Sequence, residues 1–271
     1  MKSIVLNSLS VITFLLAVPV FSQIKATVDT GLWAGFFKET ALEGTFVLLD
    51  DHSGEYYIYN QERAKRRFLP ASTFKIMNTL IGLQNHTVEG IETVFKWDGI
   101  QRSYDAWNKD LSLQEAFRNS AVWVYQELAR RTGREVIEEW IVRCHYGNER
   151  TGPEIDRFWL DGDIAISAVE QVDFIRHLCK ESLPFDNSVQ KLVKDIMLAD
   201  SVNGRKLHAK TGWVSRIENE TGWYVGYVES IGNVWIFALN IDIKNEEDAR
   251  YRKEISRRIL DATGIFPLKT E

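Results

Sequence analysis

Ser72 and Lys75 stand three residues apart in F68-L69-P70-A71-S72-T73-F74-K75-I76-M77-N78, behind a proline and at the mouth of an apolar run. The spacing predicts a helix start with both side chains on one face, which brings the Lys75 amine to the Ser72 hydroxyl. A serine hydroxyl is a weak nucleophile until an adjacent base takes its proton. A protonated lysine cannot do so, but an apolar pocket disfavours the ammonium form and lowers the pKa. Phe68, Leu69, Phe74, Ile76 and Met77 are apolar company of that kind. Ser22/Lys25 and Ser188/Lys191 repeat the spacing, but the first straddles the end of an N-terminal apolar run and the second lies in a polar amphipathic stretch. The pair reads either as a nucleophile with its base or as a helix-start serine beside a solvated lysine.

Two further elements follow along the chain. In K210-T211-G212 the lysine supplies a fixed cation, the threonine a hydroxyl donor, and the glycine room for a ligand to approach the backbone. Between them lies N119-S120-A121-V122, where Ser120 is either a second reactive hydroxyl or a helix-capping serine.

The elements that must hold these residues can be read from the hydrophobic pattern. The chain has 271 residues, 45% hydrophobic and 26% charged, which excludes disorder and fibre and suffices for a large core. A short helix is expected near W33-A34-G35-F36-F37. G44-T45-F46-V47-L48-L49-D50 and E55-Y56-Y57-I58-Y59-N60 read as a hairpin across the turn residues D51-H52-S53-G54. From Ala71 to about Gly212 the pattern is mostly helical, with a capping-box acid after Ser112 and helical spacing over 135–144. Aromatic and β-branched residues around 208–211, 222–228 and 233–240 then predict antiparallel strands, and 246–263 a closing helix with Gly264 as its stop. The expected fold class is α+β: an antiparallel sheet built from both chain ends, flanked by helices, with an all-helical lobe over roughly 80–190 inserted between them and the site in the cleft.

Residues 1–22 read as a secretory signal, with M1-K2 before an apolar run and small residues before Gln23, and residues 23–271 as one domain. A mature protein that is exported, periplasmic or secreted, and not held in the membrane, is expected. A net charge of −5 gives no footprint for nucleic acid, and the run R63-A64-K65-R66-R67 reads as a solvated surface segment. Cys144 and Cys179 lack metal-ligand spacing and read as unpaired thiols; His52, His86, His145, His177 and His208 form no metal motif, so no metal is expected.

S72-T73-F74-K75, S120-A121-V122, Y146-G147-N148, F158-W159-L160 and K210-T211-G212-W213, in that order, resemble the class D, oxacillin-hydrolysing enzymes among the penicillin-recognising serine acyl-enzymes. The likeness covers nearly all of the chain after its N-terminal run. Ser120 is followed by Ala121, where class A relatives would show a Ser-Asp-Asn triplet. The resemblance implies a β-lactam substrate, a β-lactamase/transpeptidase-like fold and no cofactor beyond a CO2-derived carbamate on Lys75, an N6-carboxylysine serving as general base. It implies Ser72 as nucleophile, the backbone N–H groups of Ser72 and Trp213 as oxyanion donors, Ser120 as proton carrier to the departing nitrogen, and Lys210 as its electrostatic partner. Phe74, Val122 and Leu160 would keep the Lys75 site apolar, and the Trp159 indole would hold the carbamate. Thr211, Gly212 and Arg252 would bind the substrate, with Arg250 the competing arginine. Y146-G147-N148 reads equally as a turn supporting the site. Alternatives of the same chemistry are a penicillin-sensing receptor domain and a D,D-peptidase or transpeptidase, both acylated but slow to deacylate. A monomer and a homodimer are both compatible with the sequence.

Overall fold

The computed structural model describes residues 31–215 and 220–268. The predicted export signal lies outside the described residues, as does the Ser22/Lys25 pair. Helix α1 (Gly31–Thr40) leads into the hairpin β1 (Gly44–Asp50) and β2 (Tyr56–Tyr59), then α2 (Gln61–Lys65). A 3-10 turn, Ala71–Phe74, runs into α3 (Lys75–Gln84). Next come β3 (Val94–Phe95), β4 (Leu111–Ser112), α4 (Leu113–Arg118), α5 (Val122–Thr132), α6 (Arg134–Arg143), α7 (Phe158–Asp161), α8 (Ala168–Cys179) and α9 (Asn187–Ile196). The chain closes with β5 (Leu198–Val202), β6 (Arg205–Val214), β7 (Thr221–Ser230), β8 (Asn233–Asp242), a 3-10 turn and α10 (Tyr251–Ala262).

The sheet order is β2-β1-β8-β7-β6-β5, antiparallel throughout, so strands from both chain ends meet where β1 pairs β8. Both faces are apolar because alternate strand residues supply two cores. Trp223, Val225 and Tyr227 of β7 join the core under the helical block, while Tyr224 and Val228 join the one beneath α1 and α10. The result is three layers, with the sheet in the middle. Among the described residues, no helix is long and apolar enough to cross a membrane.

Three local readings change. The helical block contains the two-residue ladder β3/β4, too short for any period to reveal. Strand β5, L198-A199-D200-S201-V202, is an exposed sheet edge whose polar residues hide its alternation. Arg63 is not solvated: it is buried on α2, donating to Asn240 at 2.8 Å and to Asp242 at 2.5 Å across the end of β8. Arg66 stacks on Phe68 and Arg67 pairs with Glu170, so that basic run is largely engaged within the fold.

Candidate active site

Ser72 sits in the 3-10 turn and Lys75 is the first residue of α3, so the pair spans a junction instead of one α-helical face. The tighter turn stacks i directly over i+3. Lys75 Nζ donates to Ser72 Oγ at 2.8 Å. Ala71, one residue earlier, is held at φ +48°, a left-handed conformation that non-glycine residues adopt only where surroundings enforce it. Those surroundings are specific. Thr73 Oγ1 donates to the Pro70 carbonyl at 2.7 Å and accepts from Gln171 Nε2 of α8 at 2.8 Å, while the Trp223 indole donates to the Leu69 carbonyl at 2.8 Å.

Burial alone drives the Lys75 pKa down to about 7. An unshifted lysine is almost wholly charged at pH 7, whereas a pKa lowered to about 7 makes the neutral amine readily accessible there. The shift converts Lys75 from a cation into a usable base. The pocket is aromatic: the Tyr125 ring centroid lies 5.1 Å from Nζ, and Phe74 packs against Trp159, Phe158 and Tyr146 at centroid distances of 5.8, 5.0 and 5.4 Å. Val122 opens α5 half-buried, and Leu160 is half-buried against the same core.

Trp159 is wholly buried, and its indole nitrogen has no hydrogen-bond partner among the described residues. A buried N–H without an acceptor is costly and uncommon. The observation tests the expected carbamate on Lys75, and the residues fit it. They provide an amine that is neutral near pH 7, apolar walls and an orphan donor.

Ser120 and Lys210 form a second serine–lysine dyad. Ser120 is held at φ +55° ahead of α5, whose N-cap is Ala121, so its hydroxyl does not cap that helix. The hydroxyl accepts from Lys210 Nζ, which also donates to the Thr211 carbonyl at 3.1 Å and lies 5.4 Å from the Phe117 ring centroid. The Lys210 pKa is pushed well down, first by burial, then by the charges of Lys75, Arg252 and Lys253. Its lowering by Lys75 places the two dyads within electrostatic reach.

Strand β6 brings Lys210 to Ser72. Strand β5 pairs only with the first half of β6, from Arg205 to His208, and the last bond on that side is from Ala209 N–H to the Met197 carbonyl at 2.8 Å. In an antiparallel strand alternate residues turn their N–H and C=O groups to the same edge. The pairing with β7 runs unbroken from Lys206 to Val214, so parity directs the N–H groups of Thr211 and Trp213 to the edge β5 leaves open. Gly212 lets that edge approach the serine turn. A Cβ there would lie 2.9 Å from the Pro70 carbonyl oxygen and 3.1 Å from Thr73 Cγ2. Gly212→Ala is therefore expected to destabilise the fold by about 1–3 kcal/mol, measured by denaturant unfolding, because backbone must move to admit the methyl group.

Of the two arginines, Arg252 is at the site. It donates to the Gly212 carbonyl at 2.7 Å, and burial lowers its pKa to about 10. Arg250 is exposed and stacks on Tyr251. The Y146-G147-N148 element is a supporting turn: Gly147 has φ +58°, and Asn148 ties the 163–165 backbone with bonds of 2.7 Å to the Asp163 carbonyl and 3.0 Å from the Ala165 N–H. Cys144 and Cys179 are free thiols. His208 is a strand residue stacked on Tyr227, its Nδ1 2.8 Å from the Lys194 carbonyl oxygen.

Sequence reasoning missed Tyr125, Phe117 and Gln171. Tyr125 lies three residues after Val122 on α5, a helical spacing that could have placed it beside the site. Gln171 follows the Ser167/Glu170 capping box, which marks a helix start but not which polar side chain turns inward.

The family model for the penicillin-binding protein transpeptidase domain matches residues 44–261. Among curated relatives, "Beta-lactamase OXA-48" of Klebsiella pneumoniae is 37% identical over 267 residues, 98% of this chain and all of that one. "Probable beta-lactamase YbxI" of Bacillus subtilis is 41% identical over 85% of this chain and 84% of its own. The crystal structure of FUS-1 (OXA-85), a class D β-lactamase from Fusobacterium nucleatum subsp. polymorphum, superposes with TM-score 0.85 at 38% identity, over 88% of this chain and 99% of that one. The chain thus has the transpeptidase-type fold, with two serine–lysine dyads and an open strand edge. Within that fold it belongs to the class D β-lactamases.

Proposed function

We propose that this protein hydrolyses the β-lactam amide through an acyl-enzyme on Ser72, with Lys75 carboxylated by CO2. The observation that carries the reading is the buried Lys75, its pKa lowered to about 7 and its Nζ 2.8 Å from Ser72 Oγ, together with the partnerless indole of Trp159, whose ring stacks on the adjoining Phe74. A carbamate on Lys75 supplies an anionic oxygen base at neutral pH.

The Ser72 hydroxyl releases its proton at the Lys75 position as Oγ bonds the lactam carbonyl carbon. The backbone N–H groups of Ser72 and Trp213 receive the developing oxyanion. As the carbon–nitrogen bond breaks, Ser120 gives its proton to the departing nitrogen and takes back the one held at the Lys75 position, which frees that base for the second step; Lys210 lowers the cost of the negative charge that passes through Ser120. Thr211 and Arg252, with Gly212 clearing the approach, hold the substrate carboxylate. Water then adds to the ester carbonyl, its proton passing to the Lys75 position, and the Ser72–carbonyl bond breaks with Ser72 reprotonated. Phe74, Val122 and Leu160 keep bulk water from stabilising an ammonium. We further propose that residues 1–22 direct export, which the N-terminal sequence of protein recovered outside the cytoplasm would test.

Pre-steady-state turnover of a chromogenic cephalosporin tests the reading. Many turnovers per chain are expected, enhanced by added bicarbonate. One stoichiometric burst followed by silence under both conditions would indicate a sensor or transpeptidase activity instead. The pH profile has a defined sign. Lys75 is neutral above a pKa of about 7, so kcat/KM is expected to fall as pH drops through that value, because an ammonium can neither accept a proton nor react with CO2.

A further inference from the structure

Beyond the Ser120–Lys210 dyad, a groove of about 380 Å³ opens on the α10 side of the sheet. It runs along the β6 edge at Ala209–Thr211, between Phe117 and Arg118 at the end of α4, Leu198 of β5 and Lys253 of α10. Its lining carries two exposed cations, Arg118 and Lys253, beside the buried Lys210, and no carboxylate. Arg118 is exposed and bonds the neutral amide of Gln114 at 2.8 Å. Lys253 is exposed and lines the same groove as Lys210. A groove lined by one sign of charge concentrates ligands of the other.

The chemistry of the dyad sets what enters this groove. Ser120 and Lys210 attend the departing nitrogen, so atoms borne on the nitrogen side of the scissile amide lie beyond them. In a cephalosporin the ring carboxylate is one bond from that nitrogen-bearing carbon, and the C3 substituent is attached to the next ring atom. We propose that Lys253 and Arg118 form a specificity subsite for a second negative charge, carried on the substituent of the departing-amine side and separate from the carboxylate assigned to Thr211 and Arg252. The inference rests on the hydrolytic reading of the same site.

Two cephalosporins with one acyl side chain test it, one bearing a neutral acetoxymethyl group at C3 and the other a carboxylate-terminated thiomethyl group. Lys253→Ala and Arg118→Ala are each expected to raise KM about fivefold for the anionic compound, as expected for an exposed charge pair. The kcat values and the neutral compound's KM should stay within twofold, Lys253→Arg should restore the anionic compound's KM, and the effect should fade at high salt. Equal changes for both compounds would mean that Lys253 acts only through Lys210, and no change for either would mean that the groove does not meet the substituent; each overturns the subsite. If the wild type gives a single burst with the neutral compound, hydrolysis fails as a reading, and the subsite is then decided by the ratio of the two acylation rate constants.

Discussion

Lys75→Ala is expected to lower kcat/KM by at least about 10⁴-fold, with no acyl adduct on Ser72 detectable by mass spectrometry on the timescale of wild-type turnover. The base touching Ser72 is this one side chain, at 2.8 Å. With it removed, the hydroxyl must lose its proton to water in a pocket built to exclude water. Lys75→Arg should not rescue, because a guanidinium stays protonated at any working pH. The Lys210 neighbour cannot substitute, since its Nζ is bonded to the Ser120 hydroxyl and the Thr211 carbonyl and not to Ser72. A Lys75→Ala protein that still acylated at a tenth of the wild-type rate would remove Lys75 from the first step.

The second large effect is expected at the indole. Trp159→Phe keeps a stacked aromatic ring against Phe74 and deletes the buried N–H. Turnover should fall about 100-fold or more, with a burst near one acyl-enzyme per chain and slow release, since in the proposed mechanism deacylation depends on a base that the indole would no longer hold. The carbamate resonance seen by NMR with ¹³C-bicarbonate should be present in wild type and missing in the variant. Stability reports something different. The smaller ring leaves a cavity, but the orphan donor also disappears, so the loss should fall well below the roughly 3–5 kcal/mol typical of tryptophan truncated to alanine. Normal turnover in Trp159→Phe would end the assignment.

Much of the site was legible because its chemistry is local in sequence. Ser72 and Lys75 are three residues apart, and their apolar company is contiguous with them. The strand bearing Lys210 and Gly212 announced itself through its β-branched and aromatic neighbours. What the sequence left open needed distance in space. Arg252 and Arg250 differ by two positions, and only the rotation of α10 shows that one meets the Gly212 carbonyl and the other solvent. Ser120 as a reactive group had the capping serine as its competitor in one dimension; its φ of +55° and its contact with a lysine ninety residues away separate them. Arg63 misled because a run of basic residues has the same composition whether one of them is buried or none. Strand β5 went unread because an edge strand is specified by its partner more than by its own side chains.

The short reach of β5 has an evolutionary implication. By ending opposite His208 it leaves peptide groups of β6 unpaired on that edge, and in the proposed mechanism these, not side chains, meet the reacting carbonyl. Main-chain donors are blind to point mutation: apart from proline, every codon change at Trp213 preserves the N–H. Selection for new antibiotics therefore has little to act on at that edge, and adaptation is channelled to the side chains on the groove walls, which can drift while the reaction centre is inherited intact.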